Sequence, residues 1–226
     1  MKKSFEDIYQ ELNEGVYDPN IFKAIFLAGG PGSGKSYIAG RTIRGQGLKV
    51  VNSDNQFERL IKKANLSLQM PDKEYDLREP IRQRAKELIK LTKSSYIEGR
   101  LGLIIDGTAR DFKALTNQAR ELQVLGYDTY MVFVNTSLDV ALQRNSKRRR
   151  RVPEPILIKS WKEVQANIGK FSMFFRKGFI VVDNNNPEED IFLQVTKRVQ
   201  ALLKQKVQNG RAKLWIQQQL DLKKRI

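Results

Sequence analysis

The residue pattern predicts an α/β fold of three layers, a five-stranded parallel sheet with helices on both faces, followed by basic helices at the carboxy-terminal end. Three observations lead to it. Five apolar runs, at about 21–28, 48–52, 101–105, 128–134 and 178–182, alternate with stretches of helical periodicity. The first run stops at Gly29-Gly30-Pro31-Gly32-Ser33-Gly34-Lys35-Ser36, which fits G-x-x-x-x-G-K-[ST]. The later runs end in polar residues: Ser53-Asp54, Asp106, Asn135 and Asp183. In a parallel sheet all of these fall on one rim, where ligands bind.

Taken in order, residues 4–12 place Phe5, Ile8, Tyr9 and Leu12 at helical spacing behind Ser4 as N-cap, and Asp18-Pro19-Asn20 turns into the first strand. A helix starts at Ser36 and is broken by Gly45-Gln46-Gly47. The second strand, 48–52, leads to a helical stretch at 57–61 and an irregular segment at 66–76. A long helix is expected from residue 79 or 80 to about 98, closed by Gly99. After the third strand, 112–125 is helical up to Gly126, and the fourth strand follows. The stretch 138–147 is helical, runs into an arginine tract and breaks at Val152-Pro153; 156–167 is helical again. The fifth strand and the turn 183–187 precede two helices, 188–208 and a basic amphipathic one beyond Asn209-Gly210. The chain therefore divides into an amino-terminal helix and turn (1–20), a core (21–187) with an arginine segment at about 144–155, and a helical extension (188–226).

Glycines in the octet let successive backbone N–H groups point inward at an anion, and the helix N-terminus adds unpaired donors. Lys35 can reach the outer phosphates of a nucleoside triphosphate such as ATP, and Ser36 can place its hydroxyl on Mg²⁺. Gly30, Pro31, Gly32, Ser33 and Gly34 form the cradle. With no cysteine and no histidine among 226 residues, disulfides and thiol chemistry are excluded, and a general base has to be Asp, Glu or Lys. No run approaches the ~18 apolar residues of a membrane span, and the first residues do not read as a secretory signal. A cytoplasmic protein is expected, in the host cytoplasm if it is encoded by a phage.

Forty-one Lys and Arg against 25 Asp and Glu leave a net charge of +16, which favours phosphate-rich partners, including DNA or RNA ends, or serves solubility. The rim residues each carry two readings. Asp106 is the carboxylate that would hold Mg²⁺, or a cap for the next helix. Asp54 ends the second strand, is expected beside the phosphate loop in the parallel sheet, and is placed to take a proton from an acceptor hydroxyl, or decorates a capping box with Ser53 as N-cap and Gln56 reaching back. Arg110 anchors an anionic part of the acceptor, or pairs with Asp111 or a neighbouring helix. Arg144 and Arg148–Arg151 cover the triphosphate, touch nucleic acid, or form a solvated face. Arg144 and Arg148, one helical turn apart, suit a single ligand. Around Trp215, the carboxy-terminal helices pack on the domain or mediate association.

The phosphate loop, Asp54 after the second strand, Asp106-Gly107-Thr108-Ala109-Arg110 after the third, and an arginine segment followed by Val152-Pro153 together resemble the P-loop kinases of the polynucleotide kinase and zeta toxin group. The likeness spans about residues 22–182; Asp106-Gly107-x-x-Arg110 is also similar to an element of adenylate-type nucleotide kinases. The resemblance implies a P-loop NTPase fold, with Lys35 and Ser36 on phosphate and Mg²⁺, Asp54 as base, Arg110 as substrate anchor, and Arg144, Arg148 or Arg149 in the lid. It implies as acceptor a nucleic-acid 5′-hydroxyl in the polynucleotide kinases and a nucleotide-sugar hydroxyl in zeta toxins. The expected function is ATP-dependent transfer to a hydroxyl, with a nucleic-acid 5′-end favoured by the net charge. A nucleotide kinase, which needs no base, and a non-catalytic ATP- or nucleic-acid-binding module are the alternatives.

Overall fold

The computed structural model describes residues 15–43, 45–68, 71–148, 151–186 and 189–224, with Asp72 and Glu189 described by backbone alone. The helix expected at 4–12 lies outside these residues. Strands β1 (Lys23–Ala28), β2 (Lys49–Val51), β3 (Leu103–Asp106), β4 (Asp128–Asn135) and β5 (Phe179–Asp183) form one sheet in the order β2-β3-β1-β4-β5. Every pairing is parallel. The helices are α1 (Lys35–Thr42), α2 (Ser53–Lys63), α3 (Tyr75–Glu98), α4 (Phe112–Val124), α5 (Leu138–Ser146), α6 (Glu154–Gln165), α7 (Ile168–Phe175), α8 (Glu189–Lys204) and α9 (Gly210–Lys223). Among the described residues, no helix is long and apolar enough to cross a membrane.

All six residues of β1 are buried, as expected of a central strand covered on both faces. Alternate residues divide between two cores. Phe22, Ala24, Phe26, Leu103, Ile105, Met131 and Phe133 face one layer with Leu122 of α4, Val164 of α6, Phe171 of α7 and Ala212 of α9. Ile25, Leu27, Ile104, Val132, Val134 and Val182 face the other, with Ile38 of α1 and Phe192, Val195 and Val199 of α8. Phe57 and Ile61 of α2 make a separate small cluster with Ala85 of α3. Helices α2 and α3 therefore carry an apolar contact of their own at the β2 edge.

Three differences from the sequence reading have physical causes. Helix α3 begins at Tyr75, so Pro80 lies inside it rather than at its start. The bond Pro80 cannot donate would go to Asp76; both residues are exposed, and water can serve that carbonyl. The helix expected at 156–167 is α6, and a further, unexpected helix, α7, follows it, whose Phe171 and Phe175 fill the first core. Last, β2 pairs with β3 and not with β1. Asp54 is thus not directly beside the loop that follows β1; the neighbouring position belongs to Asp106, in register with Leu27.

The carboxy-terminal extension is tied to the core by a buried charge. Lys23 is 1% exposed, and its Nζ donates to Asp128 Oδ2 at 3.0 Å and to the Tyr130 hydroxyl at 3.2 Å. The Asp128 carboxylate also accepts from the backbone N–H groups of Gln208 (2.8 Å) and Asn209 (3.1 Å). Asn209 then caps α9, whose Trp215 meets Phe22 edge-on at 5.4 Å. The aromatic residue of the last helix therefore packs on the domain. Breaking a buried pair leaves the other charge uncompensated at a cost of ~3–5 kcal/mol. Asp128→Ala is expected to lower unfolding free energy by about that amount, read from urea denaturation, while Lys224→Ala, whose exposed partner Asp221 lies 3.8 Å away, leaves it unchanged.

Candidate active site

The site begins where β1 ends. Gly29, Gly32 and Gly34 have φ of +147°, +78° and +84°. A Cβ on Gly29 would lie 2.5 Å from the Val134 carbonyl oxygen, one on Gly32 2.5 Å from that of Ala141, and one on Gly34 against the Asn184 amide. Conformation and space both require glycine here. Helix α1 starts at Gly34 with no side chain capping it, so its first N–H groups are presented to the loop's concavity, the usual arrangement for an anion.

Loop carbonyls find donors of their own. Lys35 Nζ donates to Gly29 O at 2.7 Å, and Asn184 Nδ2 donates to Ser33 O at 2.6 Å. Burial pushes the Lys35 ammonium below its ordinary value of 10.5; the Asp106 carboxylate opposes this, Arg148 reinforces it and Asp54 opposes it. An arriving polyphosphate reverses the balance and favours the charged amine.

Lys35 and Ser36 open onto a cleft of about 460 Å³ lined also by Pro31, Asn52, Ser53, Asp54, Asn55, Glu58, Asp106, Thr108, Arg148 and Val152. Asp106 does not cap α4: Asp111 does, accepting from Ala114 N at 2.9 Å. Asp106 instead accepts from Asn52 Nδ2 at 2.6 Å. Nor does Ser53 cap α2; Asn52 does, through Oδ1. Asp54 stands exposed in the first turn of α2, on the cleft wall.

For Mg²⁺ the donor set fits one binding pattern. Among the described residues no group of three or more carboxylates could hold a metal, but a hydroxyl (Ser36) and a carboxylate (Asp106) share the cleft with the anion cradle. Mg²⁺ is commonly held by one or two protein ligands, water and substrate phosphates, so Ser36 and Asp106 could hold it.

The arginines separate. Arg148 lines the cleft. Arg144 is half-buried: its Nη2 donates to Asn185 O at 3.4 Å, while Nη1 is buried without a hydrogen-bond partner, 3.6 Å from where a Cβ on Gly34 would be. That leaves a cationic N–H against the loop. Arg151 is exposed, and Arg149 and Arg150 lie outside the described residues. Arg110 is not in the main cleft: Ala109 has φ +58°, and Arg110 Nε donates to Glu163 Oε2 of α6 at 2.7 Å. It instead lines a neighbouring hollow of about 400 Å³ with Asp111 and Glu121.

Residues not singled out from the sequence complete the site. Asn52 and Asn184 hold its loops, Asn167 Nδ2 bonds the carbonyls of Ala109 and Arg110, and Trp161 Nε1 donates to Thr136 O at 2.8 Å beside Gly30. Asn52 carried a sequence signal, since Asn caps as well as Ser does. The partners of Asn184 and Trp161 lie far along the chain and had none.

The zeta toxin family model matches residues 12–194. The chain belongs to the zeta toxin family. Among solved structures similar to it is one of the PezAT chromosomal toxin–antitoxin system of Streptococcus pneumoniae, at 16% identity and TM-score 0.52, covering 81% of this chain and 88% of that one. A chain of the Pnkp1/Rnl/Hen1 RNA repair complex matches at 21% identity and TM-score 0.51, over 66% of this chain and 46% of that one. A gluconokinase from Sinorhizobium meliloti matches at 17% and 0.50, over 82% and 95%. At these identities the structures establish a shared P-loop kinase fold. No curated protein matches the chain.

The lowered Lys35 value has a measurable consequence in this zeta toxin family member. Native Lys35 gives up its proton at a lower pH than in the unfolded chain. Between those two values the unfolded chain binds more protons, so stability rises with pH across that window. The stability of the nucleotide-free protein relative to Lys35→Met is therefore expected to increase as pH approaches 10.5, in paired urea titrations. If the site takes a nucleotide whose phosphates need the ammonium, its affinity is expected to fall over the same window. At neutral pH, loss of the charged hydrogen bond is expected to weaken nucleoside-triphosphate binding in Lys35→Met by ~10–100-fold, with ATP as the probe in calorimetry.

Proposed function

We propose that the chain is an ATP-dependent kinase that transfers the γ-phosphoryl group to a hydroxyl acceptor. The observation that carries this reading is that Lys35, Ser36, Asp106 and Asp54 line one cleft. The first three suit the donor phosphates, while Asp54 stands on a different helix and faces the space left for an acceptor. A phosphate acceptor would need no carboxylate there, and a binding module would need no base.

In this mechanism the loop N–H groups and Lys35 orient the triphosphate, and Arg144 and Arg148 offset its charge from the α5 side. Ser36 and Asp106 would hold Mg²⁺, which when bound neutralises phosphate oxygens. The Asp54 carboxylate accepts the acceptor's hydroxyl proton as that oxygen bonds to the γ-phosphorus. The bond from that phosphorus to the bridging β–γ oxygen breaks, and ADP leaves with the electron pair.

Two acceptor classes remain from the sequence. Net charge favours a nucleic-acid 5′-hydroxyl. The cleft favours a small hydroxyl compound such as a nucleotide sugar. Among the described residues its basic lining is Lys35 and Arg148, both used on the donor; the wall around Asp54 is Asn52, Ser53, Asn55, Glu58 and Thr108. Arg110, the expected anchor, is paired with Glu163; we assign it to the outer part of an acceptor reaching the neighbouring hollow, once that pair opens.

The test is phosphoryl transfer from γ-labelled ATP to 5′-hydroxyl DNA and RNA, nucleotide sugars and nucleoside monophosphates. Label on a nucleotide sugar is expected. Label on oligonucleotide ends would reassign the acceptor, and label only on monophosphates would sink hydroxyl transfer. Asp54→Asn is expected to lower turnover by ~10²–10⁴-fold with ATP affinity unchanged.

A further inference from the structure

We propose that Asn52 is a positioning residue that fixes the Asp106 carboxylate relative to the helical turn bearing Asp54. The inference rests on the kinase reading for the roles of those two carboxylates, and adds a residue to it. Asn52 sits between the end of β2 and the first turn of α2. Its amide is used at both ends. Oδ1 accepts from Asp54 N at 2.8 Å and Asn55 N at 3.2 Å, and Nδ2 donates to Asp106 Oδ2 at 2.6 Å.

Chemistry fixes the orientation of this amide. Two backbone N–H groups on one side require an acceptor, and a carboxylate on the other requires a donor; a flipped amide would oppose like with like at both ends. No other side chain of this length supplies both. Aspartate would cap the helix but set a second carboxylate against Asp106. Serine would cap equally well but is too short to span to the neighbouring strand.

The bridge has a geometric purpose. Asp106 belongs to β3, which is hydrogen-bonded to β1 and is fixed relative to the phosphate loop. Asp54 belongs to α2, which packs mainly on α3 at the sheet edge. β2 is only three residues long, and the amide gives Asp106 a direct link to the start of α2. Without it, the carboxylate would lose its link to the start of α2, and the α2 turn would be referenced to the loop through the short edge strand and the packing on α3. A shift of the base or of the metal-facing oxygen by a fraction of an ångström is costly in transfer, and hydrogen bonds behind a metal-binding carboxylate commonly affect affinity or activity by ~10–100-fold.

Asn52→Ser separates capping from positioning. The helix keeps its cap, so thermal stability is expected to stay within about 2 °C of the unaltered protein. ATP affinity in EDTA is expected to be unchanged, while the gain in affinity brought by Mg²⁺ shrinks by ~10-fold and turnover falls by ~10–100-fold. On an Asp106→Asn background, Asn52→Ser is expected to reduce the Mg²⁺ gain no further. An Asn52→Ser protein with the full Mg²⁺ gain and full turnover would reduce Asn52 to a helix cap and overturn the proposal, as would an additive loss in the double variant. If Asn52→Ser does not fold, Asn52→Thr offers the same cap for the same measurements. Should the unaltered protein label no acceptor, the kinase reading falls; the Mg²⁺ gain in ATP binding still decides the role of Asn52.

Discussion

A loop that turns its N–H groups inward toward an anion must leave its carbonyls to be satisfied from outside, and much of the site follows from that constraint. Gly29 O is taken by Lys35 and Ser33 O by Asn184. Asn184 is itself placed by β5 and bonds back to β4 through Asn135 O. The loop is thus wedged between the ends of β4, α5 and β5, with glycine required at three contacts. Within the loop, Gly30 O accepts from Ser33 N at 3.2 Å. The order β3-β1-β4-β5 puts a neighbour on both sides of the strand that feeds it.

The charge of the chain is distributed more selectively than its total suggests. Lys23 is consumed in the core by Asp128 and Tyr130, and Arg110 by Glu163. Among the described residues the basic groups lining the cleft are Lys35 and Arg148, with Nη1 of the half-buried Arg144 buried near the loop. A large positive total therefore coexists with a cleft wall that carries Asp54 and Glu58. Net charge describes the field a partner meets at a distance, whereas the chemistry of the acceptor is set by the few groups within hydrogen-bond reach.

Local features were legible in the sequence and distant pairings were not. The phosphate loop declared itself because its glycines, lysine and serine are contiguous and sit between a strand and a helix. All five strands were placed to within a few residues because each is a short apolar run with a polar end. Strand order was not legible: nothing in the composition of residues 48–52 says that 103–106 lies between them and the first strand, and Asp54 consequently stands one strand further from the loop than expected. Helix α7 was missed because Phe171, Phe174 and Phe175 lack a polar face to set a period. Arg110 was legible as a cation on the rim; its direction depends on a left-handed Ala109 and on Glu163, 53 residues away.

The groups that hold the rim together are neutral amides. Asn52 links β2 to β3, Asn135 accepts from Gln165 of α6, Asn167 holds the carbonyls of residues 109 and 110, and Asn184 holds the loop. Carboxylates in these places would repel an anion in the cradle. Lysines or arginines would pair with Asp54 and Asp106 and compete with a cation for them. An amide offers a donor and an acceptor in fixed directions and adds no charge. In a chain without histidine or cysteine, the charged groups among the described residues of the cleft are Lys35, Asp54, Glu58, Asp106 and Arg148, and the amides carry the geometry around them.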